Sequence, residues 1–164
     1  MKCMIITESY FGNTAQVAQA IATGLTSKGV ETVLIDAAVA PDPITIDADL
    51  LIIGAPTQAR GLPTPSTRLE AEKRGGRSMT TGVAEWLDRP GFATRCTVAV
   101  FETVNGLRLL SGSAAGAIEK KLAANSIHPV AQKSFLIKGL TGPLPAGVLP
   151  SAEAWGASLA DSAS

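Results

Sequence analysis

The sequence predicts an α/β fold with a parallel sheet covered by helices on both faces. Two observations carry this prediction. Leu50-Leu51-Ile52-Ile53-Gly54 is an unbroken apolar run, as a central parallel strand buried on both faces requires, and Val98-Ala99-Val100-Phe101 repeats it within Arg95–Val104. Such runs alternate along the chain with stretches of helical period, and that alternation implies right-handed βαβ units. With 164 residues, 46% of them apolar and 17% charged, the chain suits one domain over residues 1–164 with a substantial core, not a disordered segment.

Taken in order, Met4 to Thr7 reads as the first strand. A helix follows in which Val17, Ile21 and Leu25 form one stripe with Ala18 and Ala22 beside it. Lys28 and Gly29 close this helix, a cation at the negative end of its dipole and a glycine free to turn left-handed. Thr32-Val33-Leu34-Ile35 gives a second strand within Glu31–Asp36. Pro41 and Pro43 then leave room for no more than a reduced helix before the third strand at Leu50. After the fourth strand, Ala114, Ile118 and Leu122 mark a helix over about Ser113–Asn125. A fifth strand lies within Pro129–Lys138. The last helix starts near Ser151 behind Pro150, with Ala152, Trp155 and Leu159 inward, and Asp161–Ser164 frays.

Composition removes several functions. Fourteen basic and fourteen acidic residues cancel, so no net field draws the chain to nucleic acid or an anionic membrane. No apolar run reaches the roughly 20 residues of a membrane span, and the N-terminus lacks a signal-peptide layout; the expected compartment is the cytoplasm. Cys3 and Cys96 lie in separate apolar runs and read as buried thiols without metal spacing or a disulfide framework. His128, the single histidine, has no ligand-type neighbours, so no metal site is expected.

The most informative stretch is the first turn, Ser9-Tyr10-Phe11-Gly12-Asn13-Thr14, between a strand's C-terminus and a helix's N-terminus. Ligands of open α/β sheets bind at that edge, where free N–H groups and the helix dipole favour an anion without any lysine. Asn or Thr as an ordinary N-cap explains the same turn without a ligand. Gly12 is the loop's only glycine, so it is no G-x-G-x-x-G dinucleotide loop, and no Gly-Lys-Ser/Thr exists for a Walker loop.

Strand, then Ser-x-x-Gly-Asn-Thr, then helix resembles the FMN phosphate loop of the flavodoxin family, with the match at Ser9, Gly12, Asn13 and Thr14. Phe11 stands where many flavodoxins carry a threonine hydroxyl. The resemblance implies a flavodoxin-like three-layer sandwich, a five-stranded parallel sheet of order 2-1-3-4-5, and non-covalent FMN held by three loops at the C-terminal sheet edge. Ala55–Ser66 and Glu102–Gly112 are the second and third of those loops. Carried across, Pro56, Thr57, Gln58 and Gly61 line one side of the flavin ring, and Thr103 to Leu107, with Asn105, the other. Tyr10 and Phe11 complete the first loop. Gly61 is the candidate for a backbone carbonyl that turns toward flavin N5.

Two departures qualify the resemblance. Neither ring-facing loop contains the tryptophan or tyrosine that usually stacks on the flavin, a contact worth about 1 kcal/mol beyond burial, so weaker binding is expected. The acidic excess of electron-carrier flavodoxins is also missing. Instead Arg60, Arg68, Lys73, Arg74 and Arg77 gather around Gly75-Gly76, either as a solvated helix end or as a basic rim that draws an acidic partner or an anionic substrate. Trp86 and Trp155 fall on helical stripes and read as core.

The resemblance therefore implies an FMN-dependent electron carrier with a redox partner. No His, Cys and carboxylate cluster marks a catalytic residue. A small FMN-dependent NAD(P)H:quinone or nitro-compound reductase is the alternative. A flavin-free binding module on the same fold is the other, although a phosphoacceptor domain lacks its aspartate at Gly54-Ala55-Pro56 and has only Glu8 after the first strand.

Overall fold

In the computed structural model, which describes residues 1–106 and 112–162, five parallel strands form one sheet of order β2-β1-β3-β4-β5. The chain runs β1 (Lys2–Thr7), α1 (Asn13–Ser27), β2 (Glu31–Asp36), β3 (Leu50–Pro56), α2 (Pro65–Lys73), α3 (Val83–Leu87), β4 (Thr97–Asn105), α4 (Ala114–Ala123), β5 (Ala131–Ile137) and α5 (Val148–Ser162). The order expected from the sequence is the order found. Only two 3-10 turns lie between β2 and β3, as the prolines there require.

Strand period two splits the core. Leu51 and Ile53 of β3 join Val98, Val100, Trp86, Ile118 and Leu122 on one face. Ile52, Ala99 and Phe101 join Val17, Ile21 and Leu25 of α1 and Ala152 and Leu159 of α5 on the other. Trp86 is a fully buried core residue as expected, whereas Trp155, read as core in the sequence, is only partly buried and packs against the core from outside. Trp86 meets Phe92 edge-on and donates its indole N–H to the Pro41 carbonyl, whereas Trp155 packs against Phe101 and Phe135. Cys3 and Cys96 are free and buried, and burial together with the neighbouring Cys96 pushes the Cys3 thiol up to about 12.

The helix boundaries differ from the sequence expectation in two places. α5 begins at Val148, not near Ser151, and Pro150 lies in its first turn. A proline is tolerated there because the N–H it lacks has no intrahelical acceptor. The second loop, expected over Ala55–Ser66, is shorter, because β3 runs through Pro56 and helix α2 starts at Pro65. Thr64 caps that helix, and the Thr67 side chain bonds back to the Thr64 amide, a capping box with threonine in place of the usual glutamate.

The register aligns the functional edge. Thr7 lies beside Gly54, Gly54 beside Phe101, and Pro56 beside Thr103, so β1, β3 and β4 release their loops side by side. Gly54 makes room for the Phe101 ring, which occupies the space a Cβ would take.

Candidate functional site

The first loop is built on a left-handed glycine. Gly12 is the N-cap of α1 at φ 92°, with no side-chain cap, so the cap is not the Asn or Thr that a plain helix start suggests. The amides of Gly12, Asn13 and Thr14 meet no acceptor among the described residues. Ser9 Oγ accepts from Ala15 N at 3.3 Å and closes the turn. The side chains of Asn13 and Thr14 are buried and turn to the neighbouring loops. Asn13 Nδ2 donates to the Leu140 carbonyl at 3.2 Å, and Thr14 and Thr103 share a hydroxyl–hydroxyl bond of 2.8 Å. What remains to face an anion is a cluster of backbone N–H groups at a helix N-terminus.

Tyr10 enters the protein beneath this loop. Its hydroxyl donates to Glu8 Oε1 and accepts from Arg68 Nε at 2.8 Å. Glu8 is fully buried; it also accepts from Arg68 Nε at 2.9 Å and from Val83 N at 2.9 Å. The other end of the Arg68 guanidinium forks onto both oxygens of Glu85 at 2.6 and 2.7 Å and reaches the Pro63 carbonyl. Burial, and then the Glu8 contact, hold the Tyr10 phenol well above its usual range. Burial works against the Arg68 charge, but Glu85 and Glu8 outweigh it, so its pKa is raised. For Glu85, burial is outweighed by the bonds to Arg68 and to backbone amides, and the carboxyl lies below its ordinary value. This cluster went unseen in the sequence because its members stand 60 and 17 residues apart with no periodic relation.

The second loop leaves β3 as a tight hairpin. Gln58 and Gly61 exchange two backbone bonds of 3.0 Å, and the two residues between them, Ala59 at φ 45° and Arg60 at φ 72°, are left-handed without being glycine. The Gly61 carbonyl, expected to turn toward a flavin, is here occupied by the Gln58 amide. The peptide free of that ladder is the one between Ala59 and Arg60. Thr57 is held from below, since its hydroxyl donates to Glu102 Oε2 at 2.7 Å and accepts from Ala114 N at 3.0 Å. Buried Glu102 also accepts from Ala115 N and Ser134 Oγ, tying the second loop to α4 and β5. Gln58 Oε1 is buried and has no hydrogen-bond partner among the described residues, an acceptor that asks for an N–H.

A small cleft brings together Ser9, Tyr10, Phe11, Asn13 and Thr14 with Pro56, Thr57, Gln58, Thr103 and Asn105. Of the other residues singled out in the sequence, Gly12 is the N-cap beside it, Gly61 closes the hairpin, and Leu107 lies outside the described residues. A fourth segment that the sequence reading passed over also lines the cleft, namely Ile137, Gly139 and Leu140 after β5. Gly139 N donates to Asn105 Oδ1 at 3.3 Å. The polar-glycine run Lys138-Gly139-Leu140-Thr141-Gly142 at a fifth strand's C-terminal end was the available signal.

The basic run does not form one rim. Arg68 is buried in its carboxylate cluster, Arg77 pairs with Asp36, and Lys73 pairs with Glu70 at 3.0 Å. Only Arg60 and Arg74 line a second, larger cavity of about 570 Å³, which adjoins the cleft through Phe11, Thr57, Gln58, Asn105 and Leu140. The described residues contain no cluster of metal-ligating side chains and no helix long and apolar enough to cross a membrane.

Comparison with known proteins agrees with this geometry. The Flavodoxin family model matches residues 5–124. Oxidised Flavodoxin 1 from Bacillus cereus superposes with a TM-score of 0.68 at 21% identity, over 98% of each chain. A flavodoxin from the domain Archaea gives 0.66 at 19% identity over 99% of each chain. The flavodiiron protein from Giardia intestinalis gives 0.61 at 18% identity, covering 99% of this chain and 36% of that one. These identities speak to the fold. No curated protein matches the chain.

Proposed function

This chain belongs to the flavodoxin family, whose cofactor is FMN and whose work is electron transfer, and from that premise we propose how its own residues hold the cofactor. The amides of Gly12, Asn13 and Thr14 bind the phosphate, assisted by the Ser9 hydroxyl. The unpaired amides at a left-handed N-cap are the observation that carries this reading. Thr14 and Asn13 act through their backbones, with their side chains bracing the loop against Thr103 and Leu140.

Pro56, Thr57, Gln58 and Gly61 flank the ring on one side, Thr103, Asn105 and Leu107 on the other. The orphaned Gln58 Oε1 suits an N–H on a polar ring edge. Tyr10 and Phe11 shape the loop, Tyr10 from within the buried cluster and Phe11 at the cleft wall. When bound, FMN supplies reversible one- and two-electron chemistry that no side chain here has. The protein orients it and excludes water. We assign the whole of residues 1–164 to one domain and place it in the cytoplasm, where the free thiols Cys3 and Cys96 suit a reducing environment. Its redox partner meets a site lined by Arg60 and Arg74, neither in a salt bridge among the described residues, and these favour an acidic surface or an anionic molecule.

Titration of the flavin-free protein with FMN and with riboflavin, followed by flavin fluorescence, tests the assignment. FMN is expected to bind at least tenfold more tightly than riboflavin, the smallest margin that several charge-assisted amide bonds to phosphate should give. Equal affinities would remove the phosphate role from Ser9–Thr14.

A further inference from the structure

We infer that Glu102, a buried carboxylate one hydrogen bond behind the cleft, is a positioning residue that acts through Thr57 and makes the bound cofactor harder to reduce. This rests on the FMN reading above and goes beyond it, since Glu102 lines neither the cleft nor the cavity beside it. Glu102 stands near the C-terminal end of β4 and shares the face of Val100, the face that α4 covers. Both of its oxygens accept. Oε2 takes the Thr57 hydroxyl at 2.7 Å and the Ala115 amide at 3.1 Å, and Oε1 takes the Ser134 hydroxyl at 2.7 Å. A carboxyl that only accepts is an ionised one.

That charge has no cation to neutralise it. Among the described residues Glu102 forms no salt bridge, whereas buried Glu8 has Arg68. Its compensation is two hydroxyls and the first turn of α4, where the helix dipole favours an anion. Thr57 connects the charge to the site. Its hydroxyl is spent on Glu102 and on Ala114 N at 3.0 Å, and its amide on the Thr103 carbonyl at 2.8 Å, so it is held fast where it lines the cleft. A ring between Thr57 and Thr103 thus has a fixed negative charge behind one wall, with protein and not water between them. An electron taken from the redox partner leaves FMN one charge more negative unless a proton follows it. Glu102 opposes that step and favours the oxidised form. Arg60 and Arg74 act in the opposite sense, but both are exposed and therefore screened by salt.

The test is the midpoint potential of FMN-loaded protein, read anaerobically against a reference dye, for wild type and Glu102→Gln. Glutamine keeps an acceptor for Thr57 and Ala115 and offers its NH2 to Ser134 Oγ, so the charge goes while the positions stay. Oxidised FMN is expected to bind within about threefold of wild type. The preference for reduced over oxidised FMN should rise about tenfold, which is about 59 mV for a one-electron couple. Added salt should leave this difference in place, because the charge is buried. Ser134→Lys keeps the carboxylate and offers it a cation from an exposed position, and should raise the preference about threefold. It decides the matter should Glu102→Gln not fold. Ser134→Ala removes a bond but no charge and should leave the potential close to that of wild type. A wild-type potential in Glu102→Gln, or in Ser134→Lys where that variant decides, overturns the inference. So does a rise in Ser134→Ala as large as that in Glu102→Gln, which would make hydrogen bonding the cause. Failure of wild-type protein to take up FMN would overturn the cofactor reading instead.

Discussion

Replacing Arg68 by methionine is expected to destabilise the flavin-free protein by about 3–5 kcal/mol, the usual cost of leaving a buried charge without its partner. Glu8 is fully buried, and among the described residues Arg68 is the one cation paired with it. Without Arg68 the Glu8 carboxylate keeps the Tyr10 hydroxyl and the Val83 amide but no countercharge. Helix α2 also loses its principal anchor, because it buries only Arg68 and Ala71. Urea unfolding measures the change directly.

The double variant Glu8→Gln with Arg68→Met removes both charges and should recover part of the loss, since a neutral buried pair avoids the desolvation cost. A loss below about 1 kcal/mol for Arg68→Met would mean that the cluster is worth no more than a surface pair. Acid adds a second readout. The Glu85 carboxyl is depressed in the folded protein, so its contribution is present above the ordinary glutamate value of 4.5 and is lost as pH falls through the lower folded value. Glu85→Gln should therefore flatten that acid limb and weaken the protein mainly at neutral pH.

Gly24→Ala is the second large effect, with an expected loss of about 2 kcal/mol despite alanine's better helix propensity. Helices α1 and α5 approach through two glycines. A Cβ on Gly24 would overlap the Glu153 carbonyl and stand 2.8 Å from Ala157 N, and one on Gly156 would overlap the Ile21 carbonyl. The obstacles are backbone atoms, so no rotamer change relieves them and the helices must separate. The same substitution at Gly116 of α4 meets only the Ser113 hydroxyl, at 3.2 Å, and is expected to be neutral or to stabilise by about 0.5 kcal/mol. Thermal unfolding of the two variants should thus move in opposite senses or nearly so. A Gly24→Ala protein as stable as wild type would show that α5 shifts at little cost.

Much of this was readable in the chain itself. The period-two and period-3.6 patterns around Leu50–Gly54 and Val17–Leu25 named the sheet and its helices. Such patterns record which face of an element is buried, and burial is a local requirement on every residue. The strand-to-helix turn at Ser9–Thr14 was legible for the same reason, because a glycine between short polar residues is a local backbone demand that Gly12 meets at φ 92°.

Tertiary structure decided what depends on partners distant in sequence. Asn13 reaches Leu140 across 127 residues, and Thr14 reaches Thr103 across 89, so hydroxyl and amide groups that look free for a ligand serve as braces. The five cations after the second loop look alike in the sequence, yet folding buries Arg68, pairs Lys73 and Arg77, and leaves Arg60 and Arg74 at a cavity. A charge's role is set by the desolvation and counter-charge it meets in space, and neither leaves a periodic trace in the chain. The sequence alone determined the scaffold and the edge at which it binds. Packing determined which polar groups at that edge remain available.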